Sequence, residues 1–219
     1  MLVDLDLDGK NAVVLGGGRE AQLKAEKLVD AGASTTVVAR RLTKGLRLLS
    51  KTGMVKVVRM DPVDSRGLIT KLKPKVLFVS TGALSTDEKL AGLGRSLGIL
   101  VCVVDEPRLN DFNMPALAKI GTLRVAISTG GKSPAMAKLI RERVERTITA
   151  EDLLQIELQS SVRDEIRKEF GTRSARKAMV YRMIKDPEIS RVLREEGLES
   201  ARILAKTMMK TSKRSIKRH

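Results

Sequence analysis

Apolar residues in this chain come first as short runs and later at helical steps. Asn11 to Leu15 is an apolar run closed by glycines, the pattern of a strand buried on both faces. From Glu20 to Ala31 the apolar positions Ala21, Ala25, Leu28 and Val29 recur at three- and four-residue spacing, and Gly32 stands where a helix would end. The alternation continues, with strands predicted at Thr35–Ala39, Val55–Met60, Val76–Ser80 and Leu100–Val104 and helices at Leu68–Lys73 and Thr86–Leu97. Strands and helices alternating at this spacing predict a parallel sheet covered on both faces.

Beyond Asp105 the texture changes. Pro107 and Pro115 bracket a less regular stretch, and Leu123–Ile127 follows as a short strand. The loop Ser128-Thr129-Gly130-Gly131-Lys132 then leads to Ser133, a good N-cap, and Pro134, a good first helical residue, opening a helix to about Ile148. From Glu151 onward no strand pattern is left. Glu151–Phe170, Ser174–Ile184, Glu188–Glu195 and Leu198–Met209 predict a small all-helical module, broken at Gly171, Pro187 and Gly197.

Composition narrows the partners. Of 219 residues 42% are hydrophobic, enough for a core, and aliphatic residues and alanine must fill it because the chain has no Trp, one Tyr and three Phe. Such a chain lacks a stacking platform for single-stranded nucleic acid, so a nucleic-acid partner is not expected. The net charge of +16 is spread along the sequence; only Lys210 to Arg218 is a concentrated basic run, read as a solvated end. Diffuse charge of this kind attracts polyanions, including small ligands with several carboxylates or phosphates. No apolar run approaches the ~20 residues of a membrane span, and Met1-Leu2-Val3-Asp4 does not open a signal peptide. A soluble, cytoplasmic protein without membrane partners is expected. Cys102 is the only cysteine and reads as a buried strand residue; His219 is the only histidine. A zinc site of Cys and His and a His-based catalytic triad are thereby excluded, and no metal site is expected.

The chemistry concentrates in the first predicted βαβ unit. Gly16-Gly17-Gly18-Arg19-Glu20-Ala21 fits the G-x-G-x-x-A dinucleotide fingerprint, follows a strand and opens a helix. Gly16 permits the tight turn, Gly18 the close approach of backbone to pyrophosphate, and Ala21 close helix–strand packing. The amides at Arg19 and Glu20 face the anion at the positive end of the helix dipole. The second strand should end in an acid for the ribose hydroxyls, but Ala39 is followed by Arg40 and Arg41. An arginine there meets a 2′-phosphate or covers the adenine; residue chemistry leaves both open. Gly130-Gly131-Lys132-Ser133 looks like the end of an ATP-binding loop, but Ala126 stands where that motif needs its first glycine. An anion site and a plain capped turn remain as readings of this loop.

Four stretches follow in order: Asp8–Gly18, Leu28–Ala39, Val103-Val104-Asp105-Glu106-Pro107 with Phe112-Asn113-Met114-Pro115-Ala116, and, most specific, Val125–Ala135 with Ala137–Arg143. Together they resemble the precorrin-2 dehydrogenases of sirohaem synthesis. The resemblance implies an α/β protein: a Rossmann dinucleotide-binding domain over residues 1–113, a dimerisation segment over 114–148 and an all-helical domain over 149–219. It further implies transfer of hydride from precorrin-2, a tetrapyrrole with eight carboxylates, to NAD⁺, giving sirohydrochlorin, with metal insertion as a second activity of some members. Asp105 takes the position of the family's acid/base residue; alone, it also reads as the start of the turn before Pro107. Thr81, followed by Gly82-Ala83 where the family has acidic residues, takes a cofactor-edge role. Ser128, Thr129, Gly130, Gly131, Lys132 and Ser133 take the substrate-binding role, and a homodimer is implied. The competing expectations are a non-catalytic dinucleotide-sensing module acting through its helical tail, and an RNA-associated protein using the basic end.

Overall fold

A computed structural model describes the backbone of residues 2–216 and the side chains of residues 2–212. The expectations attached to His219 and to the end of the basic run lie outside the described residues. The chain forms two compact units that meet in sequence at Met114 and Pro115.

The first unit alternates β1 (Asn11–Leu15), α1 (Arg19–Asp30), β2 (Ser34–Val38), α2 (Lys44–Lys51), β3 (Lys56–Val58), α3 (Arg66–Leu72), β4 (Val76–Val79), α4 (Leu84–Ser96) and β5 (Leu100–Val103). All five strands are parallel, in the order β3-β2-β1-β4-β5. Successive strand residues feed opposite faces. Ala12, Val14, Val37, Phe78 and Cys102 share one core with Ala21, Ala25 and Leu28 of α1. Val13, Leu15, Leu77, Val79, Val101 and Val103 share the other with Leu90 and Ala91 of α4. Because β1 has β2 on one side and β4 on the other, the winding direction reverses beside it. Such a reversal opens a crevice at the carboxyl ends of the strands, where doubly wound sheets bind ligands.

In the second unit, β6 (Ala116–Ile120) and β7 (Leu123–Ile127) make an antiparallel hairpin against which α5 (Pro134–Thr147) packs. Five helices follow: α6 (Ala150–Ser161), α7 (Arg163–Glu169), α8 (Arg173–Ile184), α9 (Pro187–Glu195) and α10 (Leu198–Ile216). Their core holds Leu158, Val162, Ile166, Met179, Met183, Ile189, Leu193, Ala201 and Ala205. Thr149, Thr172 and Asp186 cap α6, α8 and α9 with side-chain oxygens, and Thr149 with Asp152 forms a complete capping box.

The α/β architecture, a parallel sheet with a helical C-terminal region, is the expected one. Several elements differ in detail. β3 is shorter than the predicted Val55–Met60, the span Glu151–Phe170 is divided at Val162 into α6 and α7, and α2 and β6 were not predicted. No helix among the described residues is long and apolar enough to cross a membrane.

Candidate dinucleotide site

The three consecutive glycines at the end of β1 are needed for different reasons. Gly16 has φ +130°, and a Cβ there would lie 2.0 Å from the carbonyl oxygen of Ser80, at the end of β4. Gly17 has no room because the chain leaving β2 crosses it: a Cβ would lie 1.9 Å from the Arg41 carbonyl oxygen and 2.8 Å from Ala39 Cβ. The Thr43 amide donates to the Gly17 carbonyl at 3.1 Å, fastening the two loops together. Gly18 is the N-cap of α1, exposed, with nothing within 4 Å of a would-be Cβ.

Helix α1 starts without a side-chain cap. Its first N–H groups are therefore free for an anion above Gly18, where the helix dipole adds attraction. Ala21 is fully buried beneath, whereas Arg19 is exposed and Glu20 half-buried, 3.9 Å from Lys24 Nζ. An open, uncapped glycine turn is what a pyrophosphate requires, so these residues fit a dinucleotide.

At the end of β2, Ala39 is buried and its amide donates to the Val58 carbonyl at 3.2 Å, while Arg40 and Arg41 are exposed. Arg40 Nη2 lies 2.8 Å from Oδ2 of Asp61. Arg59 Nη1 donates to the Arg40 carbonyl at 3.0 Å, and Asp61 Oδ1 accepts the Val63 amide at 3.1 Å.

Thr81 follows β4. Its amide and hydroxyl both donate to Oδ1 of Asp87, at 3.1 and 2.6 Å, and Asp87 is buried in the first turn of α4. The loop after β4 is thus pinned by a carboxylate six residues further on.

Asp105 is exposed in the turn after β5. The chain then folds back along this sheet edge. Asp111 Oδ2 accepts the Val101 amide at 2.9 Å, Asn110 Oδ1 accepts the Val103 amide at 2.6 Å, and Arg95 Nε donates to Asp111 Oδ1 at 3.0 Å. Side-chain acceptors here satisfy the outer edge of β5 and hold the turn that presents Asp105. Its neighbour Glu106 is engaged by Arg108 at 2.8 and 3.0 Å, and that guanidinium holds the Glu106 carboxyl below its ordinary range.

Gly16–Gly18, Arg40, Arg41, Thr81 and Asp105 therefore lie at the carboxyl ends of β1, β2, β4 and β5, along one edge of a parallel sheet. Residues Ser128–Ser133 belong to the second unit. There Ser128 Oγ accepts the Gly130 amide, Thr129 Oγ1 the Ser133 amide and Ser133 Oγ the Met136 amide, at 3.2, 3.0 and 3.2 Å. The loop is a self-capped turn, with the exposed Lys132 as its positive charge.

Residues 3–116 match the family described as "Putative NAD(P)-binding". The chain belongs to this NAD(P)-binding family. Residues 121–147 match a second family, "Sirohaem biosynthesis protein central", in agreement with the sirohaem-synthesis family that the motifs resemble. A siroheme synthase of Gluconobacter oxydans is 33% identical over 145 residues, covering 65% of this chain and 30% of the relative. Siroheme synthase 1 of Aeromonas salmonicida is 28% identical over 204 residues, 92% of this chain and 42% of the relative. The chain thus spans less than half the length of these synthases. A precorrin-2 dehydrogenase of Methanosarcina barkeri is 29% identical over 190 residues, 84% of this chain and 83% of the relative. Among solved structures, "SirC, precorrin-2 dehydrogenase" superposes with a TM-score of 0.70 at 22% identity over 94% of this chain and 99% of that one, a likeness that establishes the fold.

Two residues beside this row of strand ends are not marked as site residues by the sequence alone. Asp61 precedes Pro62 at the start of a short 3₁₀ turn, an N-cap signature legible in principle. Asp87 carries no comparable mark, because its partner Thr81 is opposite it only once the loop is folded.

Proposed function

We propose that the chain is an NAD⁺-dependent dehydrogenase that converts precorrin-2 to sirohydrochlorin. The observation that carries this reading is the exposed carboxylate of Asp105 on the same sheet edge as the uncapped start of α1. The dinucleotide, when bound, supplies the hydride acceptor. Arg19 and Glu20 offer their amides to its pyrophosphate, and Thr81 borders it after β4. Dehydrogenating a macrocycle releases a proton with each hydride, and Asp105 accepts that proton as general base. Asp105 suits the task better than Glu106, whose carboxylate is already committed to Arg108.

Ser128–Ser133 is proposed to meet substrate carboxylates through Lys132, and the excess of basic side chains to attract a polycarboxylate. Residues 114–148 are proposed as a dimerisation segment and 149–219 as a helical domain. A hairpin and one helix leave Leu117, Met136 and Leu139 about 40% exposed, and a two-fold partner would cover them.

The test is to incubate the purified chain with precorrin-2 and NAD⁺ and follow NADH and sirohydrochlorin by absorbance. The expected result is formation of both in equal amounts. Binding of NAD⁺ without any product would leave a dinucleotide-binding protein and overturn the dehydrogenase.

A further inference from the structure

We propose that Asp61, at the end of β3, supplies the ribose-reading carboxylate that β2 lacks, and that Arg40 positions this acid. The inference rests on the dinucleotide reading above.

In a Rossmann sheet the adenosine ribose lies over the end of β2, beside the glycine loop. Here the crossing of Gly17 by the Arg40–Arg41 backbone fixes that place: the Arg41 carbonyl and Ala39 Cβ press on Gly17, and Thr43 donates to its carbonyl. The residue after Ala39 is Arg40, which by itself would welcome a 2′-phosphate. Its guanidinium, however, is turned to Asp61 at 2.8 Å. β3 is the neighbouring parallel strand, with Val38 paired to Val58, so the turn after β3 comes out at the same sheet edge.

Asp61 is held on two sides. One oxygen accepts the Val63 amide at 3.1 Å and the other meets Arg40. A carboxylate offers about four acceptor positions, so positions remain on Asp61 for the ribose hydroxyls. The same carboxylate repels a 2′-phosphate and occupies the arginine that would bind it. Arg41 and Arg59 are exposed nearby in sequence and along the strand ends, and they temper that repulsion. Preference for NAD⁺ is then modest and depends on one acid delivered from β3.

The decisive experiment is calorimetric titration of the full chain with NAD⁺, NADP⁺, 5′-AMP and adenosine 2′,5′-bisphosphate, comparing wild type with Asp61→Asn. Asparagine keeps an oxygen for the Val63 amide, so the turn survives; circular dichroism checks it. Wild type should favour NAD⁺ about tenfold, the worth of one charge-assisted hydrogen bond. Asp61→Asn should erase or invert that ratio, and the AMP pair should shift in parallel. A ratio unchanged by Asp61→Asn, or a wild type that prefers NADP⁺, overturns the role of Asp61 while leaving the dehydrogenase standing. A wild type that binds neither dinucleotide overturns both.

Discussion

Thr81 gives both its amide and its hydroxyl to a single carboxylate oxygen, Oδ1 of the buried Asp87. Asp87 is also in the first turn of α4, where negative charge is favoured by the helix dipole. One side chain thus ties the loop after β4 to the helix that follows. Asp87→Ala removes the acceptor from two donors and should cost about 1–3 kcal/mol. Thr81→Val, which keeps the amide bond, should cost less. Denaturant unfolding measures both; an Asp87→Ala protein as stable as wild type would contradict the assignment.

The glycine loop separates folding from binding. Gly17→Ala sets a methyl group against the Arg41 carbonyl and should destabilise the first unit by about 1–3 kcal/mol or more through backbone displacement. Gly18→Ala meets no neighbouring atom and loses only the small N-cap preference of glycine, so its melting temperature should fall much less than that of Gly17→Ala. If the dinucleotide approaches this turn, Gly18→Ala should nevertheless weaken NAD⁺ binding. Equal melting temperatures for the two variants would refute the contrast.

Asp105→Asn should reduce turnover by roughly 10²–10⁴-fold, the range for loss of a general base, with NAD⁺ affinity unchanged. Glu106→Gln is the control, since its carboxylate serves Arg108. Equal losses in the two variants would assign the effect to the turn.

Light scattering at micromolar concentration should return the mass of a dimer. Leu139→Glu, on the exposed side of α5, should shift it toward monomer. A monomeric wild type would remove residues 114–148 from the interface role.

Acid should loosen the helical unit. Arg194 beside Glu151, Lys206 beside Glu165 and Arg191 beside Glu188 hold these carboxyls below the ordinary glutamate value of 4.5, and the Thr149 amide does the same for Asp152, below 3.8. A carboxyl whose folded value is lowered stabilises the fold above its ordinary value. That contribution is lost as pH falls through the lowered folded value. Helical stability should therefore hold at neutral pH and decline below about pH 4.5, less steeply in high salt because the pairs are exposed. Melting curves of the helical signal from neutral to acidic pH provide the check, and an acid-independent midpoint would contradict it.

The sheet was legible because burial on both faces writes strands as apolar runs, as in Val76–Val79, and because Gly16–Gly18 must follow a strand. What escaped was written in weaker signals. β6, Ala-Leu-Ala-Lys-Ile, places small alanines inward and follows Pro115, so its alternation is faint. α2 begins with Lys44-Gly45, a poor helix start by composition; it forms because Thr43 caps it and because Gly45 leaves space for Gln22, whose amide would lie 2.2 Å from a Cβ there. The division at Val162 lies inside a continuous helical pattern. For the candidate site, the glycines and Arg40 are legible locally, whereas the roles of Thr81 and Asp105 came only with the family resemblance. Asp61 and Asp87 act on residues distant in sequence, and their partners become visible only when strand ends are brought side by side.

Cys102 lies mid-strand in β5, buried beside the core that contains Phe78, and burial pushes its thiol up from the ordinary value. It is also the only sulfhydryl in the chain. A thiol reagent added to the native protein can therefore report one event, the opening of the sheet at β5. Its labelling rate becomes a clock for that opening, read without any engineered probe, and dinucleotides that tighten the strand ends should slow it.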